Sequence, residues 1–280
     1  MRHSFRALRP VLLVAVLVAL LAPSPSRAAS WRVQPVVPTL SGTVGEHVRA
    51  IARRGAAMGV RRDYVAKLGD SITVSPAFLV PLACSEPVWG GWSELQGAVS
   101  FFGRDPAPGG TAAACGAVNS FSRTSVAAVR GWTTGDALRS RPSLPADCGA
   151  EAAIGCELAL LHPSVALIMF GTNDVSASRE GPFRRHLAHV AEIVEKAGAI
   201  PVISTIPPRL SSSRLAAKTE RFDAVIAALA ANRSLPLWNY WRQMSAPRIP
   251  REGIGPDGVH PSLCPACSAI DFTPRGQRQG

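Results

Sequence analysis

Three short stretches of this sequence hold residues able to do chemistry together. The first is Lys67-Leu-Gly-Asp-Ser71-Ile-Thr73. It follows the apolar run Tyr64-Val-Ala66, which reads as the end of a buried strand. Gly69 permits a sharp turn there, so Ser71 would present its hydroxyl outward into a cleft, as a nucleophile must. Gly, Asp and Ser are also ordinary turn residues, and alone this stretch reads equally as a loop. The second is Gly171-Thr-Asn-Asp174, directly after the apolar run Val165-Ala-Leu-Ile-Met-Phe170. The third, Asp257-Gly-Val-His260, lies close to the C-terminus. A free hydroxyl is a poor nucleophile and needs a base. Imidazole titrates near neutral pH, which makes His260 the candidate. Asp257, three residues earlier, can hold the ring's other nitrogen and fix its tautomer. Taken alone, Asp-Gly-x-His-Pro is a capped surface turn.

The order of these stretches, Ser first, Asn in the middle and Asp-x-x-His last, resembles the SGNH/GDSL hydrolases, a superfamily of serine esterases, lipases and acyl-sugar deacetylases. The resemblance runs from about Val65 to His260, with Ile72 where the name-giving motif has Leu. It implies a catalytic set of Ser71, Asp257 and His260, with Asn173 pointing a side-chain N–H at the developing oxyanion. In these hydrolases a glycine after the second strand adds a backbone N–H. Gly135 is the choice here and Gly131 the runner-up, and the Ser71 amide completes the hole. Asp70 and Asp174 would hold loops. The resemblance also implies an ester substrate, with acyl glycan, lipid and small ester all open, and it calls for neither metal nor organic cofactor. Acyl transfer on the same site, and a non-catalytic envelope or glycan-binding protein on the same fold, are the alternatives.

These residues must be positioned by a framework, and the alternation of apolar runs with helical stripes outlines it. Strands are expected at 63–69, 165–170, 200–205 and 235–240, and a second strand near 123–128. Helices are expected at 43–57, within 148–161, at 182–197 and at 214–231. The 182–197 helix buries Phe183, Leu187, Val190, Ala191 and Val194, and Gly198 ends it. This pattern predicts one doubly wound, flavodoxin-like parallel sheet flanked by helices in three α/β/α layers. Ligands of such sheets bind at the C-terminal strand edge, where Ser71 and Asn173 would lie. Residues 75–124 read as a long excursion over or beside the site. Pro261 to Gly280 carry no helical stripe, although a helix usually follows the Asp-x-x-His turn in the hydrolases it resembles. Either the chain lacks that helix or a disulfide replaces it.

Export is the remaining expectation. Arg2, Arg6 and Arg9 precede twelve unbroken apolar residues from Val11 to Ala22, and Ser26-Arg-Ala28 follows as a small-x-small cleavage site. This is the pattern of a signal peptide over residues 1–28, leaving one catalytic domain over 29–280, secreted or in the periplasm or cell envelope. The leader holds four arginines and no acid, so its loss lowers the formal net charge from +11 by four, to +7. The basic residues are scattered, without the long run or aromatic interleaving that nucleic acid would ask for. An anionic envelope surface is the partner such a charge could favour. Oligomeric state is not legible. Six cysteines in an exported chain read as disulfides; the sequence leaves all fifteen pairings open, and the preferred set joins sequence neighbours, Cys84–Cys115, Cys148–Cys156 and Cys264–Cys267. His186 and His189, one helical turn apart, read as a solvent-facing pair rather than metal ligands.

Overall fold

The structure is a computed structural model and describes residues 31–108, 115–116, 118–262 and 270–276. Four parallel strands form its sheet in the order β1-β2-β3-β4. They are β1 (Arg61–Gly69), β2 (Pro163–Met169), β3 (Ile200–Ser204) and β4 (Leu237–Trp238). The helices are α1 (Gly42–Ala57), α2 (Pro81–Cys84), α3 (Gln96–Gly103), α4 (Thr134–Ala137), α5 (Ala153–Leu161), α6 (Asp174–Ala177), α7 (Glu180–Lys196), α8 (Ser213–Arg233) and α9 (Tyr240–Met244). From Asp63 onward every residue of β1 is buried, so helices cover both faces of the strand, as a parallel sheet requires.

β1 pairs with β2 in register from Val65↔Val165 to Gly69↔Met169. On its other side Gly69 bridges in parallel to Ala128. This bridge puts chain on both sides of β1, the order of a doubly wound sheet. The second strand expected near 123–128 is reduced to it. The Val126 amide donates instead to Glu157 Oε2 at 3.0 Å, which takes it out of any ladder. β4 is shorter than 235–240. Pro236 has no N–H to give, and the Asn239 side chain already caps α9 by accepting from the Arg242 amide at 3.2 Å.

The long helices hold the sheet. α7 buries Phe183, Leu187, Val190, Ala191 and Val194, the stripe expected from its spacing. Phe183 stacks on Phe222 of α8 with ring centroids 4.6 Å apart, and both rings are fully buried. Burying one such ring is worth about 2–3 kcal/mol. In α1 the buried stripe is narrow. Gly45, Ile51 and Gly55 are buried while Ala52 is exposed. Gly55 lies flush against the backbone at Gly198, and His47 turns to Glu195 Oε1 at 2.8 Å.

The excursion after the first turn lies along β1. Tyr64 donates to the Pro106 carbonyl at 2.5 Å, and the buried Lys67 ammonium donates to the Phe121 carbonyl at 2.6 Å. Arg123 and Glu157 form an ion pair closed off from solvent. Cys84–Cys115 and Cys148–Cys156 are joined as disulfides. Cys264 and Cys267 lie outside the described residues, as do residues 1–28, where a leader is expected. The chain after the His260 turn comes back to the excursion at residues 270–272. Val88 exchanges backbone hydrogen bonds with Ile270 and Phe272, and Trp89 stacks on Phe272 at 5.6 Å.

Candidate active site

Ser71 begins the turn that leaves the C-terminal end of β1. Two features force that turn. Gly69 sits so close to its neighbours that a Cβ would lie 2.0 Å from Thr73 Oγ1 and 2.6 Å from the Met169 carbonyl oxygen. Asp70, fully buried, folds back to accept the Ile72 amide at 3.0 Å. The chain therefore reverses sharply, and Ser71 is left half-buried at the rim.

His260 reaches the same rim from a turn far along the chain. Its Nε2 lies 2.8 Å from Ser71 Oγ, and its Nδ1 lies 2.6 Å from Asp257 Oδ2. Asp257 Oδ1 accepts the amides of Val259 at 2.9 Å and His260 at 3.0 Å. The His260 ring and these amides hold the Asp257 carboxyl down to about 2. The turn docks through Gly258, whose carbonyl accepts the Leu210 amide at 2.8 Å. Gly258 has φ +71, and a Cβ there would meet the Ser211 nitrogen at 2.7 Å, so only glycine fits without strain. Ile254 bridges to Pro261 and closes the base of the turn.

The third stretch follows β2. Asn173 donates through Nδ2 to the Trp132 carbonyl at 3.0 Å, leaving its second amide hydrogen for another acceptor. Asp174 is buried, and its carboxylate takes the amide and hydroxyl of Thr134, tying this loop to α4. Burial raises the carboxyl of Asp174 above the usual range. Burial also pushes Asp70 up, to about 7, and the nearby Asp174 charge adds to the effect. Both aspartates therefore brace loops, as expected of them. Arg209 links this stretch to the loop after β3, on which the histidine turn docks. Its guanidinium donates to the Thr172 carbonyl at 3.0 Å and to Ser211 Oγ at 3.0 Å.

The Asn173–Trp132 bond brings Gly131, the residue before Trp132, beside the asparagine. Gly131 is exposed, and no atom lies within 4 Å of where its Cβ would project. Gly135 lies one turn further on, inside α4, and a Cβ there would face His186 at 3.2 Å. Gly135 is thus packed against α7, while Gly131 borders the open rim. Asp136, next to Gly135, serves the capping box with Thr133. His186 is half-buried against that glycine and only His189 is exposed, so they are not a solvent-facing pair. Among the described residues no group of His, Cys, Asp and Glu is arranged to hold a metal ion.

A cleft of about 450 Å³ opens at the Ser71–His260 contact. Its walls include Ile72, Phe78, Tyr240 and Pro261, and burial raises the Tyr240 phenol to about 12. Trp238 backs this wall, 6.4 Å from Phe78 and 5.0 Å from Tyr240 between ring centroids. Among the described residues of the excursion, Ser75 to Phe78 line the cleft. An alcohol hydrogen-bonded to imidazole, with a carboxylate on the ring's far nitrogen, can give up its proton as it attacks a carbonyl carbon.

A family model described as GDSL-like Lipase/Acylhydrolase family matches residues 68–263, more than half of the chain. The chain belongs to that family. Solved structures similar to this GDSL-like chain include the lipase/acylhydrolase from Enterococcus faecalis, 21% identical over 72% of this chain and 88% of that one, TM-score 0.47. Others are a GDSL-like lipase from Bacteroides thetaiotaomicron (17% identity, 77% and 89% covered, TM-score 0.44) and the psychrotrophic esterase EstA from Pseudoalteromonas sp. (17%, 71% and 88%, 0.42). No curated protein matches the sequence.

Proposed function

We propose that this GDSL-like chain is an exported serine hydrolase of carboxylic esters. The observation that carries this reading is the continuous hydrogen-bonded line from Ser71 Oγ through both nitrogens of His260 to Asp257, opening on an apolar cleft. Ser71 Oγ bonds to the ester carbonyl carbon while its proton passes to His260 Nε2. The carbonyl oxygen takes up negative charge and is met by Asn173 Nδ2–H and the amides of Ser71 and Gly131. The bond to the alkoxy oxygen then breaks, and His260 returns the proton to the departing alcohol. Water, deprotonated by His260, attacks the acyl-enzyme, releasing the carboxylic acid and restoring the Ser71 hydroxyl. Asp257 stays ionised throughout, consistent with its low titration.

Export rests on the leader-like residues 1–28, ahead of one catalytic domain over 29–280, and on two disulfides that suit an oxidising compartment. Among the described residues no helix is long and apolar enough to cross a membrane. The test is turnover of a short-chain chromogenic ester by wild type and Ser71→Ala. Loss of at least about a thousandfold in the variant supports the reading. Equal rates would end it.

A further inference from the structure

Among the described residues, the cleft at Ser71 carries one permanent charge and no carboxylate lines it. Arg130 lines the cleft together with Ser71 and His260. It is exposed and has no ion pair or hydrogen bond among the described residues. No aspartate or glutamate lines the cleft. Residues 109–114, 117 and 263–269, outside the described set, contain no acid in their sequence either. Asp257 is the nearest candidate by function, but its carboxylate is spent on His260 and two backbone amides.

The backbone that carries Arg130 is fixed relative to the reacting atoms. The preceding amide, of Val129, donates to the Gly69 carbonyl at 3.2 Å, two residues before the serine. Two residues after Arg130, the Trp132 carbonyl accepts the Asn173 amide. Arg130 thus stands between an anchor on the nucleophile strand and an anchor on the asparagine loop. A guanidinium held there, in a cleft walled by apolar side chains, hydroxyls and the His260 imidazole, has geometry suited to a planar or tetrahedral oxyanion. Apolar walls also strengthen its pull on such a group.

We infer that the cleft selects esters bearing an anionic group (carboxylate, sulfate or phosphate) and that Arg130 binds that group. The inference rests on the ester-hydrolase reading and adds a substrate class to it. The test uses two matched pairs of esters. In the first the charge sits on the leaving alcohol: 4-acetoxybenzoate against methyl 4-acetoxybenzoate. In the second it sits on the acyl chain: the 4-nitrophenyl monoester of adipic acid against its methyl ester. For each pair the ratio of kcat/KM, anionic over neutral, is measured for wild type, Arg130→Gln, Arg130→Lys and Arg130→Glu.

The expected result is a wild-type preference for the anionic ester in one pair. Arg130→Gln should cut that ratio about tenfold, the scale of one charge-assisted hydrogen bond in a partly open site. Arg130→Lys should restore part of it, Arg130→Glu should lower it further, and added salt should erode it. A ratio that the three substitutions leave alike in both pairs overturns the inference, while turnover that still requires Ser71 keeps the hydrolase reading. Turnover of no ester by wild type, or turnover indifferent to Ser71→Ala, overturns both.

Discussion

The two halves of the Ser71–His260 contact are built differently. Ser71 stands on a turn made from the interior. Asp70 is fully buried, Ile72 and Thr73 are nearly so, and Gly69 is pressed against Met169 and Thr73. His260 stands on a turn made at the surface, with the side chains of Asp257 and His260 53% and 42% exposed. That turn supports itself through three hydrogen bonds to one carboxylate and a single backbone bond to the loop after β3. The hydroxyl is placed by the core, so its position costs stability to disturb. The imidazole is placed by local hydrogen bonds, so its position can be lost while the fold persists.

The sharpest way to break this comparison is at the base. His260→Ala should lower kcat by about ten-thousandfold and leave the urea midpoint of unfolding nearly unmoved. A large fall in stability would mean that the histidine turn is part of the core after all. Asn173→Ala, on the boundary between the halves, should cost a hundred- to thousandfold in kcat, about 3–4 kcal/mol of transition-state stabilisation. Acylation measured in single-turnover experiments would check that the loss lies in the chemical step.

The two glycines sharpen the contrast directly. Gly69→Ala forces a Cβ into Thr73 and the β2 backbone and should destabilise the fold by about 3 kcal/mol. Gly258→Ala meets a backbone nitrogen too, but on a turn at the surface. It should cost about tenfold or more in turnover while the free energy of unfolding falls by about 1 kcal/mol, less than at Gly69. Equal stability losses at the two sites would contradict the division.

The smallest effect is in pH dependence. Asp70 is raised to about 7, so the folded protein holds its proton after the unfolded chain has released it. Stability should therefore fall as pH rises from the ordinary aspartate range to about 7, then level off. Asp70→Asn should flatten that slope. Asp257 acts with the opposite sign, because its stabilisation is present above the ordinary aspartate range and fades as pH falls toward 2. Being exposed, it should contribute little. Urea midpoints taken across pH 3 to 8 would separate the two.

How much of this was legible in the sequence follows the same division. β1, β2, β3, α7 and α8 were readable because burial on both faces, or a 3.6-residue stripe, writes itself into apolar spacing. Ser71, Asn173, Asp257 and His260 were readable because their residue types and order carry chemistry. What stayed hidden depends on partners distant in the chain. Glu157 is a helix residue that pairs with Arg123 and also takes the Val126 amide out of any ladder. The choice between Gly131 and Gly135 turns on the Trp132 carbonyl, which no side-chain pattern reveals. Arg130 is one of many scattered basic residues in the sequence, and only the fold places it in a cleft that no described carboxylate lines.

The central claim, that Ser71 is the residue acylated, is tested most directly by labelling the folded protein with a fluorophosphonate and locating the adduct by mass spectrometry. The account predicts a single adduct on Ser71, formed far more slowly in His260→Ala. An adduct on any other residue, or labelling of Ser71 at the same rate without His260, would contradict it.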